Sequence, residues 1–254
     1  MEQIDIHNLY SEEGFQILSK LIVGIWTPHI WSIGIMARIA RVVAPGLPHH
    51  VTQRGNRRQQ TFFSDDNYQF YLELMSEWCA KFQVETWAYC LMPNHVHLII
   101  VPKTKDDLRL AIGEAHRRYT RRINFRKGWR GHLWQGRFAS FIMEEKYLLA
   151  CTKYVELNPV RARLVKKPED WNWSSAGPHM KGKDDILVKV APVLKMINKP
   201  WEIFLSRDVQ KEKIELFRKY ERTGRPLGEK SFLEEVEILL DRKLKPGKPG
   251  PKKQ

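Results

Sequence analysis

The sequence predicts an α+β fold: a ferredoxin-like sandwich with a four-stranded antiparallel sheet, helices packed on it, and a C-terminal helical extension. Three observations carry this. Apolar runs bounded by turn residues mark four strands, and two helical periodicities separate them in the order β-α-β-β-α-β. The short Pro93-Asn94 connection makes the middle two strands an antiparallel hairpin. A further helix follows the fourth strand.

The elements run as follows. Residues 1–35 differ from the rest and read as a non-core extension. Their apolar, Trp-rich stretch, Leu21 to Met36, could pass for a short membrane anchor, but Pro28 and His29 interrupt it and it is short for a spanning helix. Met36-Ala37-Arg38 offers a second, basic start. Pro48 to Gly55 is the first strand, with His50 and Thr52 on one face and Val51 and Gln53 on the other. Ser64 or Asp65 caps a helix whose stripe is Tyr68, Leu72, Met75, Cys79 and Phe82. Val84–Met92 and His95–Val101 are the second and third strands. Thr104 with Asp107 opens a second helix with the stripe Leu108, Ile112, Ala115, Tyr119 and Ile123. Arg137–Met143 is the fourth strand. Glu144 or Glu145 to about Leu157 is a helix stopped by Pro159. The domain should span 36–180. A helical extension covers 181–244, including an amphipathic helix from Ser231, and 245–254 form a basic, Pro/Gly-rich tail expected to be disordered.

Composition narrows the function. Lys and Arg number 43 against 29 Asp and Glu, a net charge of +14. A polyanion is the expected partner, nucleic acid ahead of a membrane surface. Nine Trp accompany the charge; aromatic faces beside cations suit unpaired bases that stack, although core packing accounts for most aromatics equally well. Cys79, Cys90 and Cys151 are scattered inside apolar patterns, which argues against a disulfide framework and for buried thiols in a reducing cytoplasm.

The chemistry centres on the run Leu91-Met92-Pro93-Asn94-His95-Val96-His97-Leu98. Strand side chains alternate, so His95 and His97 share one face, roughly 7 Å apart along the strand, while Val96, Leu98 and Ile100 point into a core. Two imidazoles so placed can begin a divalent metal site, or can simply be two satisfied histidines. In the third helix, Tyr154 and Asn158 share a face beside Tyr147 and Cys151, at the margin of the apolar stripe; Lys153 and Glu156 fall on the opposite, polar side. An inward Asn needs a partner, which a metal or the helix end could supply. Tyr119 is the rival nucleophile, but it lies in line with Ile112, Ala115 and Ile123, as a core residue does.

Three motifs in order, Met92-Pro93-Asn94-His95-Val96-His97-Leu98, Gly131-His132-Leu133-Trp134-Gln135-Gly136-Arg137-Phe138 and Tyr154-Val155-Glu156-Leu157-Asn158-Pro159-Val160-Arg161-Ala162, give the chain a family likeness over residues 36–180. It resembles the REP-associated tyrosine transposases, among the HUH single-strand endonucleases that include the small insertion-sequence tyrosine transposases. The resemblance implies that His95, His97 and Asn158 bind Mg²⁺ or Mn²⁺ and that Tyr154 is the nucleophile. It implies cleavage and rejoining of single-stranded, hairpin-forming repeat DNA through a 5′-phosphotyrosine link. Arg117, Arg118, Arg121 and Arg122, with Arg126 and Arg130, would hold the DNA backbone, or form a solvated helix face. Arg54, Asn56 and Arg57 would bind DNA from the loop after the first strand. In the second motif, Arg137 would also touch DNA, Gly136 permits a sharp turn into the strand, and Trp134 would stack on a base or plug the sheet edge. Two other readings stand beside the enzyme: a catalytically idle protein that recognises repeat hairpins, and an RNA-binding module, which His95 and His97 on the central strand disfavour. Monomer and homodimer are both compatible with the sequence, and no membrane partner is expected.

Overall fold

The computed structural model describes residues 39–244. The expectations for residues 1–35 and 245–254 lie outside them. Four strands, β1 (His49–Arg54), β2 (Glu85–Met92), β3 (His95–Val101) and β4 (Ala139–Ile142), form a sheet in the order β2-β3-β1-β4. Every neighbouring pair is antiparallel. The β-α-β-β-α-β order and the sheet agree with the predicted sandwich, and β3, which carries the two histidines, is central.

Alternation along the strands sends side chains to two different layers. Val51, Leu91, Val96, Leu98 and Ile100 pack against α1 (Asp65–Lys81) and α2 (Asp107–Lys127). The α2 stripe Leu108, Ile112, Ala115, Tyr119 and Ile123 is buried throughout, as its spacing predicts. Burying one such aliphatic side chain contributes about 2 kcal/mol. The α2 entry is fixed by Asp107, whose carboxylate accepts from Thr104 Oγ1 at 2.6 Å and from the Lys103 N–H at 3.1 Å. Its exit is Gly128, whose φ of +64° needs no Cβ.

The other face of the sheet holds Ala88, Cys90, Met92, Ile99 and Phe141. Two helices cover it: α3 (Glu145–Glu156), through Leu148, Cys151 and Val155, and α8 (Lys211–Thr223), through Phe217. Between them come the short helices α4 (Asn158–Arg161), α5 (Ala176–Lys181), α6 (Ala191–Leu194) and α7 (Trp201–Leu205). Pro159 does end α3, yet it also opens α4, because proline's fixed φ and missing N–H suit a first helical turn. The last helix, α9 (Lys230–Leu240), packs Phe232 and Val236 beside Val42 and Ile142.

One expectation is corrected here. Glu156 is not on a solvated side of α3: it is 0% exposed. Its carboxylate accepts from Ser175 Oγ at 2.5 Å, His179 Nδ1 at 2.6 Å and Trp201 Nε1 at 2.7 Å. Residues beyond 170 fold back over that side of α3 and supply these donors, so a position that is polar by helical periodicity becomes a buried acceptor. Cys79, Cys90 and Cys151 are free and buried. Among the described residues, no helix is long and apolar enough to cross a membrane.

Candidate functional site

A cleft of about 810 Å³ opens on the α3/α8 face, at the end of β1 and β3. Its walls include Arg54, Arg58, His95, His97, Gln135, Tyr154, Asn158, Arg161, Arg218, Glu221 and Arg222. Residues far apart in sequence reach it for local reasons. His95 and His97 are side by side because they are two apart on β3, and their ring centroids lie 5.0 Å apart. Tyr154 and Asn158 are one turn apart across the α3–α4 junction. Arg218, Glu221 and Arg222 share the inner face of α8 by helical spacing. Gln135 arrives through the segment before β4, which is sewn to the end of β1: Gln135 N–H donates to Arg54 O and Asn56 N–H to Leu133 O, both at 2.8 Å. Gly136, at φ +69°, makes the turn that leads into β4, and Gln53 Nε2 donates to its carbonyl at 2.9 Å.

Burial sets the protonation states. It pushes His95 down to about 3, with Arg54 adding to the effect, and His97 well below the usual imidazole range, with His95, His50 and the cleft arginines adding to it. Both rings are therefore neutral and can offer a lone pair. His95 Nδ1 lies 2.6 Å from Asn94 Oδ1, an acceptor, so this nitrogen carries the proton and Nε2 is left open. Tyr154 is only 4% exposed. Its ring stands edge-on to His97 at 5.7 Å and to His50 at 6.0 Å, with the Arg161 guanidinium 4.7 Å from its centre. Burial, then the Glu221 carboxylate, pushes its hydroxyl up to about 12, against the pull of Arg161 and Arg218.

Several site residues went unread in the sequence, His50 and Glu221 chief among them. His50, on β1, is fully buried, with Nε2 at 3.0 Å from His97 Nδ1 and the two rings stacked at 5.2 Å. Glu221 Oε1 lies 3.6 Å from His50 Nδ1 and 4.0 Å from His97 Nδ1. With the imidazoles neutral, these are not ion pairs. Burial pushes Glu221 up to about 7, opposed by Arg54, Arg218 and Arg222. His50, His97 and Glu221 offer ligand atoms within 4.8 Å of one another, so the donors at this end of the cleft are of a kind that can hold a divalent cation. His50 could have been suspected from its place on the same face as Thr52, which is paired with His97. Glu221 had no signal beyond its helix.

The structure brings Arg54, His95, His97, Tyr154 and Asn158 into one cleft. Arg58, not Arg57, joins them; Arg57 is exposed outside the lining and Asn56 is half-buried. Arg137 is exposed on the segment before β4. Trp134 is a core residue, 6% exposed and stacked on His116 at 4.8 Å, so its ring is not presented to a base. Arg117, Arg118, Arg121 and Arg122 lie with Phe125 on the outer face of α2, across the sheet from the cleft. Tyr119 is buried with its hydroxyl donating to Thr61 O at 2.8 Å, a core residue as its spacing predicts.

Residues 45–158 match the family model described as Transposase IS200 like. This segment is similar to the IS200-like transposases. A candidate REP-associated tyrosine transposase of Haemophilus influenzae is 30% identical over 108 residues, 38% of this chain. The chain spans 61% of that relative's length. A solved structure of a REP-associated tyrosine transposase bound to a REP hairpin superposes with a TM-score of 0.51 at 24% identity, covering 61% of this chain and 93% of that one. That likeness is one of fold. The structure of a candidate transposase from Deinococcus radiodurans R1 aligns at 20% identity over 47% of this chain and 96% of that one, with a TM-score of 0.33. The chain thus resembles the REP-associated tyrosine transposases, as its three motifs imply. The IS200-like segment ends at Asn158, so Arg161, Arg218 and Glu221 come from beyond it.

Proposed function

We propose that the protein is a metal-dependent single-strand DNA endonuclease and strand transferase, acting on hairpin-forming repeat DNA with Tyr154 as nucleophile. The observation that carries this is the convergence of Tyr154, Asn158, His95 and His97 in one cleft with five arginines and a single carboxylate. The arginines suit a phosphodiester backbone. The neutral imidazoles and the Asn158 side chain fit Mg²⁺ or Mn²⁺, which when bound would polarise the scissile phosphate. Arg54, Arg58 and Arg161 orient the phosphate. Tyr154 Oη then forms a bond to phosphorus as the P–O3′ bond breaks. The phenol proton leaves to solvent and the departing 3′ oxygen takes one up. A 5′-phosphotyrosine and a free 3′-OH result, and the reverse step with another 3′-OH rejoins strands. Arg57, Asn56 and Arg137 at the rim, and Arg117, Arg118, Arg121 and Arg122 on α2, hold flanking DNA. The work is done on the chromosome in a bacterial cytoplasm.

A second reading, an idle hairpin-binding protein, is favoured by the burial of Tyr154 and its raised pKa. The deciding test uses labelled single-stranded hairpins from repeats flanking the gene, with Mg²⁺ or Mn²⁺, resolved on a denaturing gel. A covalent adduct lost in Tyr154→Phe supports the enzyme. Tight hairpin binding with no adduct under either metal establishes the idle reading instead.

A further inference from the structure

Among the described residues, two buried polar atoms at the back of the cleft lack a hydrogen-bond partner, and they face each other: His50 Nδ1 and Glu221 Oε1, 3.6 Å apart. His50 Nε2 in turn lies 3.0 Å from His97 Nδ1. We infer that Glu221 and His50 are positioning residues, which fix His97 as the tautomer whose Nε2 lone pair faces the cleft.

The assignment follows from proton counting. A neutral imidazole has one donor and one acceptor nitrogen. With Glu221 as the carboxylate, the oxygen facing His50 Nδ1 can only accept, so the His50 proton belongs on Nδ1. His50 Nε2 is then an acceptor, and the His97 Nδ1–H must donate to it. That leaves His97 Nε2 unprotonated. The opposite tautomers would set the His50 Nδ1 lone pair against a carboxylate oxygen inside a buried site, a repulsion that nothing offsets. His95 reaches the same end by a shorter route, since its Nδ1–H donates to Asn94 Oδ1 at 2.6 Å. Both histidines of β3 thus keep Nε2 free. A carboxylate behind a ligating histidine fixes ring orientation and raises ligand basicity; here a second imidazole extends that arrangement, and the carboxylate comes from α8, outside the segment that matches the transposase model.

This inference rests on the metal reading above only for its consequence, not for the tautomers. The test is long-range ¹H–¹⁵N correlation of the full chain, metal-free, at pH 8. His50 and His97 are expected as Nδ1–H tautomers, with His97 Nε2 showing the shift of an unprotonated nitrogen. His97 found as the Nε2–H tautomer overturns the inference. Glu221→Ala should let both tautomers of His50 and His97 appear and lower Mn²⁺ affinity by about 10–100-fold, read by electron paramagnetic resonance of free and bound ion. Glu221→Gln, whose amide oxygen can face the His50 Nδ1–H as an acceptor, should keep the tautomers and most of the affinity. Equal loss in both variants with wild-type tautomers retained would make Glu221 a direct ligand and refute the positioning role. His95→Ala serves as the separate control: Mn²⁺ binding undiminished there defeats the metal reading, whatever the tautomers show.

Discussion

Asn158 donates its side-chain amide to the carbonyl oxygen of Tyr154 at 3.0 Å. Arg161 donates to the same oxygen. The last turn of α3 is therefore tied by side chains from α4, and the Asn158 side-chain oxygen is left for another partner. Asn158→Ala should remove both functions. The expected outcome is a loss of about 1 kcal/mol in urea unfolding from the missing bond, together with weaker Mn²⁺ binding. Asn158→Asp should bind Mn²⁺ at least as tightly as wild type, because a carboxylate is the harder ligand.

The two tyrosines should separate chemistry from stability. Tyr154→Phe should give no covalent adduct and leave hairpin binding within a few-fold of wild type. Tyr119→Phe should still form the adduct, yet lose about 1–2 kcal/mol of stability, because the buried Thr61 carbonyl loses the hydroxyl bonded to it. An adduct that survives in Tyr154→Phe would move the nucleophile elsewhere.

Acid should destabilise the protein in part through His49 and His116, two buried histidines outside the cleft lining. Burial holds His116 at about 3 and His49 at about 4, both below the ordinary imidazole value of 6.5. The unfolded chain then binds more protons than the native one between these values, so stability rises with pH across that window. The contribution is complete above about 6.5 and is lost progressively as pH falls toward 4 and below. Urea midpoints measured from pH 7 to pH 4 should fall steadily, and His116→Phe should flatten the slope. A midpoint independent of pH would contradict the buried, neutral assignment.

Glu156 should be the most sensitive position in α3 after its apolar core. Replacing it with Ala strands three buried donors, Ser175, His179 and Trp201, and should cost about 3–5 kcal/mol. Glu156→Gln keeps one acceptor and should cost less. Thermal melts of the two variants check the order.

The α2 arginines should affect binding and not chemistry. Arg117→Ala and Arg121→Ala are expected to weaken DNA binding alike across sequences. Each should also reduce the slope of log K against log salt by about one unit for every phosphate it no longer neutralises. Single-turnover cleavage at saturating DNA should be unchanged, because α2 packs on the far face of the sheet from Tyr154.

Much of the fold is legible in the sequence because strands and helices here follow local periodicity: β3 begins and ends at the expected residues, and every apolar position of the α2 stripe is buried. The same locality exposes His95, His97, Tyr154 and Asn158, whose partners are two or four residues away. His50, Glu221 and Arg218 are not legible. Their part in the site depends on β1 pairing with β3 and on α8 docking against Tyr154 through Phe217, at 5.5 Å, and no sequence spacing encodes either arrangement. Glu156 departs from expectation, and Trp134 follows the packing alternative of its two readings, for a related reason. Helical periodicity assigns a side, but the chain beyond 170 decides what covers the first, and the aromatic cluster around His116 claims the second.

The placement of positive charge on both sides of one sheet has a geometric consequence for any DNA that uses both. A helix layer and a sheet are each about 10 Å thick, so a strand leaving the outer face of α2 must travel around the sheet edge for about 20 Å or more before it reaches Tyr154. Such a path would make the molecule a ruler for DNA held at both faces. For DNA held at both faces, the segment on α2 and the segment in the cleft would not be neighbours in the strand, and shortening the spacer between them should abolish simultaneous occupancy before it abolishes binding at either face alone.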